Sequence, residues 1–251
     1  MKILIISTKL PYPPKDGGAI ATLNMATGMA DTGNEVVMLS MNTPKHFFPP
    51  DDIPGSLRDK ITFHAVPVDT RIHRAKFLAN LLFSGLPYNA TRFHSDDFLS
   101  ELKRLLSATR FDIIQMEGPY LDHYLPAIRQ YSGARIAFRS HNLEHEIWSG
   151  RAKSTRNPFI RYYLSVLSRR IRRLEKKLLD EVDFLVPISG KDLEGFRQMG
   201  LNIPFLICPT GLNLKEYTGM DQTGEFSLFF IGALDWGPNT EGLDWFFLPA
   251  I

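Results

Sequence analysis

A chain of 251 residues is long enough to enclose a full hydrophobic core, and 44% hydrophobic with 22% charged residues is the balance of a folded globular protein rather than a disordered one. A formal net charge of +2 gives no bulk-charge argument for nucleic-acid binding, and the single cysteine, Cys208, excludes an internal disulfide and a cysteine-based metal site. The opening MKILIIS turns polar at Thr8 and is too short for a signal-peptide core. No stretch approaches the roughly 20 apolar residues of a membrane span, so a cytoplasmic protein is expected.

In chain order, short apolar runs over 2–6, 35–40, 61–65, 112–116, 135–139, 184–187 and 205–207 read as strands. They are almost continuously apolar, as expected for strands covered on both faces. Helical patterns fall between them near 18–31, 72–83, 95–108, 119–131, 157–181 and 190–199. This alternation predicts an α/β fold, a doubly wound and mostly parallel Rossmann-like sheet. Residues 42–59, with Pro44, Pro49, Pro50, Pro54 and Gly55, read as an irregular loop. After 208 the rhythm changes: residues 209–225 read as a hinge, and FSLFFIG begins a new strand with a partial helix behind it. The expected organisation is one domain over 1–208 and the start of a second Rossmann-like domain over 226–251.

In open parallel sheets, ligands sit outside the carboxyl ends of the strands. The first loop there, STKLPYPPKDGGAI, brings Gly17 and Gly18 to the start of a helix, where free N–H groups favour an anion. A Gly-Gly pair equally suits a plain tight junction, and the G-x-G-x-x-G fingerprint is absent. At the exit of the fifth predicted strand stands RSHNLEHEIW, in which His141, Glu144 and His145 follow the H-x-x-E-H order of a zinc protease. A zinc helix needs both histidines inside one helix and a third ligand, whereas His141 lies at a strand exit and nothing downstream marks that ligand. No metal site is therefore expected. Two readings stay open: His141 and Asn142 cap the next helix, or they hold a polar ligand at the strand end.

Several segments together resemble the retaining, nucleotide-sugar-dependent glycosyltransferases of family 4. These are DGGAIATLNMATGMADTGNEVVMLS, RSHNLEHEIW, VDFLVPISGKDLEGF, PTGLNLKEY and FIGALDWGPNTEGLDWF. The resemblance implies a GT-B enzyme, with an acceptor-side N-terminal domain and a C-terminal domain that binds the donor. By position it implies that Gly17 and Gly18 line the cleft near the donor phosphates and that His141 contacts the transferred sugar. Asn142 and Ser189 would join the substrate site, and Gly232 would offer its backbone to the diphosphate. Departures are Asn34 where the family often has His, and Pro238 before Asn239 where it often has Lys. The family's Arg/Lys pair and Glu-x7-Glu element would fall beyond Ile251, so little or no transfer by these residues alone is expected. No cofactor is implied beyond the nucleotide-diphospho-sugar donor. The acceptor is expected to be a glycan or a lipid-linked species.

One helix stands apart. Ile160, Leu164, Leu167, Ile171, Leu174 and Leu178 form one stripe. Arg161, Arg169, Arg170, Arg172, Arg173, Lys176 and Lys177 fall away from it. That basic face is solvated surface, or a contact with anionic lipid at the inner face of a membrane, or a guide for an anionic, lipid-linked acceptor to the cleft. Nucleic acid is not expected, since no aromatic-rich single-strand module is evident. A non-catalytic sugar- or nucleotide-binding module and a sugar-nucleotide epimerase remain the alternatives to a transferase.

Overall fold

The computed structural model describes residues 1–212, 228–232, 234 and 237–247, and the chain divides into two compact units, Met1–Leu212 and Asn213–Ile251. The first unit runs β1 (Lys2–Ser7), α1 (Gly17–Asp31), β2 (Glu35–Asn42), α2 (Gly55–Arg58) and β3 (Ile61–Pro67). It continues through α3 (Arg74–Phe83), α4 (Tyr88–Thr91), α5 (Asp96–Ala108), β4 (Ile113–Glu117), α6 (Leu125–Tyr131) and β5 (Arg135–Ser140). It closes with α7 (Glu144–Ser154), α8 (Pro158–Glu181), β6 (Phe184–Pro187) and α9 (Gly190–Gln198). In the second unit the helix α10 (Gly237–Phe247) is described.

The strands form one six-stranded sheet of order β3-β2-β1-β4-β5-β6, with every pair parallel. The expected α/β Rossmann-like sheet is therefore present. Its continuous apolar runs have a direct cause: successive residues serve opposite faces. Ile3 and Ile5 pack with Val36, Met38, Leu23 and Ala26 on the α1 side. Leu4 and Ile6 pack with Leu39, Met116, Phe138 and Phe98 on the other side. Each such fully buried aliphatic or aromatic side chain contributes roughly 1.5–3 kcal/mol. A third cluster of Ala152, Leu164, Leu167 and Ile171 joins α7 to α8.

The strand order reverses between β1 and β4, so the carboxyl ends of those strands border the crevice where such sheets bind ligands. The register lays one row across that edge: Ser40 beside Ser7, Ser7 beside Glu117, and Glu117 beside Arg139. All four are buried.

Several local expectations need correction. Residues 205–207 form no strand. Phe205 makes one isolated parallel bridge to Leu185, and the segment hydrogen-bonds β6 only through Pro204, Leu206 and Cys208. The flanking Pro204 and Pro209 have no N–H with which to extend a ladder. The helix expected over 119–131 splits into a 3-10 stretch, Pro119–Tyr124, followed by α6. The irregular loop over 42–59 contains 3-10 turns at Pro44–His46 and Pro50–Asp52 as well as α2. Of the strand expected from residue 226, the described part, 228–232, has no strand assigned, and the remainder and most of the expected hinge lie outside the described residues.

Candidate functional site

The polar row at the sheet edge centres on Glu117, the last residue of β4. Gly118 behind it takes φ +87°, a conformation that disfavours any side chain, and its N–H donates to the Arg139 carbonyl at 2.9 Å. Oε2 of Glu117 accepts from the Thr22 hydroxyl at 3.0 Å and from Arg139 Nη1 at 3.2 Å, while Gln115 Nε2 donates to Oε1. His141 Nε2 meets the same Oε2 at 2.7 Å. A carboxylate only accepts, so Nε2 carries its hydrogen, and a neutral ring then presents Nδ1 as an acceptor.

Burial alone would raise the Glu117 carboxyl, but the His141 hydrogen bond, the Arg139 and His141 charges and the Gln115 amide outweigh it and hold its pKa below the usual carboxylate value. Arg139 is fully buried, and its Nε and Nη2 have no hydrogen-bond partner among the described residues. The His141 side chain keeps 21% of its surface exposed. It is neither interred nor helical, since α7 starts at Glu144.

His145 has a different partner. Its Nδ1 meets Glu175 Oε2 at 2.6 Å, and the Glu144 N–H donates to Glu175 Oε1 at 2.8 Å. The H-x-x-E-H residues are thus split between two carboxylates from different elements, and the zinc-helix geometry is not formed. The reading in which His141 and Asn142 cap the following helix is also corrected. The N-cap of α7 is Leu143, without a side-chain cap bond. The helix start is satisfied from outside instead, by fully buried Glu175 of α8 and by Asp192 Oδ1, which accepts from the Leu143 N–H at 3.3 Å. Burial pushes the neighbouring Glu144 carboxyl upward. The Tyr120 hydroxyl, donating to it at 3.0 Å, opposes this without cancelling it, and the Glu175 charge reinforces it.

The other expected site residues lie along the same edge of the first unit, Gly232 excepted. Gly17 and Gly18 open α1 behind the N-cap Asp16, whose Oδ1 accepts from the Ala19 N–H at 3.0 Å. A Cβ at Gly18 would fall 3.3 Å from Asp16 Oδ1 and 3.7 Å from Lys9 Nζ, so a side chain there crowds the Lys9–Asp16 ion pair. Burial opposes ionisation of Asp16, but Lys9 and the Ala19 N–H hold its pKa below the usual value. Asn142 is exposed, and its carbonyl accepts from the Ser140 hydroxyl at 2.7 Å. Ser189 is the N-cap of α9: its Oγ accepts from the Asp192 N–H at 3.1 Å and also donates to the Asp192 carboxylate. Next to it, Gly195 leaves no room for a Cβ against Leu143, so α9 presses directly on the loop that carries His141. In the second unit, a Cβ at Gly232 would lie 2.6 Å from Phe230 Cζ and 2.8 Å from Asn239 Nδ2, so only glycine fits there without movement.

Glu117, Arg139, Gln115 and Thr22 were not singled out from sequence. A charged residue at the end of IIQME and one before the end of RIAFRS were the available signal for Glu117 and Arg139. The basic helix also needs revision. Arg161, Arg169, Arg172, Arg173, Lys176 and Lys177 are exposed, but Arg170 is partly buried. Its guanidinium donates to the carbonyls of Asn80 at 3.2 Å and Leu81 at 2.9 Å, clamping the end of α3. In the apolar stripe, Ile160 is 50% exposed while Leu164, Leu167, Ile171, Leu174 and Leu178 are buried.

Residues 15–216 match Glycosyltransferase Family 4. Sucrose-phosphate synthase from Thermosynechococcus elongatus superposes with a TM-score of 0.58 at 16% identity, covering 88% of this chain and 50% of that one. HepE from Anabaena, in complex with UDP and glucose, gives a TM-score of 0.47 at 12% identity, covering 86% of this chain and 46% of that one. The chain spans about half the length of these two proteins. At such identities the first likeness establishes the fold alone. No curated protein matches the chain in sequence.

Proposed function

The chain belongs to glycosyltransferase family 4, and from that membership we propose that it serves sugar transfer from a nucleotide-diphospho-sugar to a glycan or lipid-linked acceptor, with His141 at the reacting sugar. The single observation that carries this is the partly exposed His141 ring, held at the switch-point edge by the buried carboxylate of Glu117. Transfer from a nucleoside diphosphate requires a leaving diphosphate to be stabilised and the sugar to be oriented while positive charge grows at its anomeric carbon. The first need is served by the helix start at Gly17 and Gly18, whose N–H groups favour an anion without a metal. The second is served by His141. With Nε2–H donating to Glu117, the ring turns Nδ1 toward a sugar hydroxyl and has no need to act as a nucleophile. By family membership Asn142 and Ser189 are read as further substrate contacts, and Gly232 as a backbone contact for the diphosphate. The reading is of a retaining, metal-independent cytoplasmic enzyme.

Saturation-transfer NMR against a panel of nucleotide sugars tests it, run on the parent chain and on His141→Ala. Saturation transfer to the sugar-ring protons of a nucleotide sugar in the parent, lost in the variant, is the expected result. Equal sugar signal in both would remove His141 from the site, and no signal from any nucleotide sugar would remove the donor reading.

A second surface supports contact with an anionic membrane. Leu78, Leu82 and Phe83 of α3 and Phe159, Ile160 and Tyr162 of α8 are exposed, and Arg170 ties the two helices together. Arg161, Arg169 and Arg173 stand exposed on the same α8. Apolar side chains flanked by arginines suit an interfacial seat rather than a crossing, and no helix among the described residues is long and apolar enough to cross a membrane. Co-sedimentation with liposomes that contain acidic lipid, but not with neutral ones, is expected. Equal recovery with both removes this contact.

A further inference from the structure

Two cavities open on the other half of the sheet edge, beyond β1, β2 and β3. The first, of about 290 Å³, is lined by Lys9, Lys45, His46, Arg71 and Arg92, with no carboxylate in its wall. The hydroxyl-bearing residues Thr8, Thr43 and Thr70, one from each strand exit, complete its polar lining. The second, of about 410 Å³, shares Arg71 and Arg92 with the first and adds His73, Lys76 and His94, with Asp69 its one acid. The two cavities therefore form one groove, with the two shared arginines between its halves.

Several of the groove's basic side chains have carboxylate partners, Lys9 with Asp16, Arg71 and His73 with Asp69, and His94 with Asp96. Arg92 differs. Its guanidinium lies 5.1 Å from the Phe93 ring centroid, and its buried Nε has no hydrogen-bond partner among the described residues. A buried, unsatisfied guanidinium nitrogen is costly unless a ligand completes it. The planar fork of arginine matches the tetrahedral oxygens of a phosphate, and threonine hydroxyls supply further donors of the right reach. An uncharged glycan would gain little from such a lining.

We propose that this groove binds a phosphate group carried by the acceptor, with Arg92 and Arg71 gripping the phosphate between the two cavities. The proposal rests on the acceptor-side reading of this unit given above and deepens it by naming the acceptor class as phosphorylated. The phosphate could belong to a soluble sugar phosphate or to a polyprenyl-type lipid phosphate, and both present the same oxygens to Arg92.

The test is isothermal titration of the chain with three probes: glucose 6-phosphate, farnesyl phosphate in detergent micelles, and glucose. It is repeated on Arg92→Gln and Arg71→Gln, with ¹⁵N NMR of the arginine Nε–H groups as the second readout. Arg71 is exposed, so its variant keeps the test valid if Arg92→Gln folds poorly. The expected result is binding of at least one phosphate probe, no binding of glucose, a shift at Arg92 Nε–H, and roughly tenfold weaker binding in each variant. The tighter of the two phosphate probes identifies the source. Binding that survives both substitutions unchanged, or no phosphate binding at all, overturns the proposal. Nucleotide-sugar saturation transfer on the same samples separates the two readings: loss of phosphate binding alone sinks this inference, whereas loss of nucleotide-sugar signal alone sinks the transferase reading and leaves the groove.

Discussion

Glu117→Gln removes the charge on which the candidate site is built. In the parent, Oε2 gathers Thr22 at 3.0 Å, Arg139 at 3.2 Å and His141 at 2.7 Å, and Oε1 takes Gln115. An amide oxygen can serve one of these groups, but its NH2 end must then face donors. Arg139, fully buried and without another carboxylate partner among the described residues, loses its counter-charge. Removing one member of a buried pair costs about 3–5 kcal/mol. The sign with pH follows from the depressed pKa of Glu117. Its contribution is complete above the unfolded carboxyl value, roughly 4.3, and is lost as pH falls through the lower folded value. The difference between parent and variant should therefore be full at neutral pH and shrink in acid. Urea unfolding followed by circular dichroism measures it, with Arg139→Met and the double variant completing a cycle. The double variant should lose less than the sum of the singles, by at least about 1 kcal/mol. A single variant within about 1 kcal/mol of the parent, or an additive cycle, would show that the pair does not hold the site.

Three further outcomes follow from particular contacts. Glu175→Ala deletes two bonds to a buried carboxylate and should cost about 3 kcal/mol, with faster exchange of the Glu144 amide; an unchanged exchange rate would deny the capping role. Ser189→Ala should lose about 1 kcal/mol in urea through the cap of α9, and a variant as stable as the parent would leave the hydroxyl to substrate alone. Arg170→Ala frees the carbonyls of Asn80 and Leu81, so amide exchange over residues 80–86 should accelerate by at least about 1 kcal/mol of lost protection; unaltered exchange would return Arg170 to the solvated surface.

The sequence by itself determined the six strands of the sheet and most of the long helices, because each is written locally. Runs such as Ile3–Ile6 need cover on both faces wherever they sit in the sheet, and the 3.6-residue recurrence from Leu164 to Leu178 buries the same stripe against any neighbour. The placement of His141 at a strand exit was legible for the same reason. Its partner was not. Glu117 lies 24 residues away, and it meets Arg139 and His141 only because the sheet order sets β4 beside β5 in that register. The caps of α7 come from Glu175 and Asp192 on two later helices, and the clamp on α3 comes from Arg170, 89 residues beyond Leu81. Periodicity describes one segment at a time. Which charges share a buried edge is decided when segments are brought side by side, and only the tertiary structure does that.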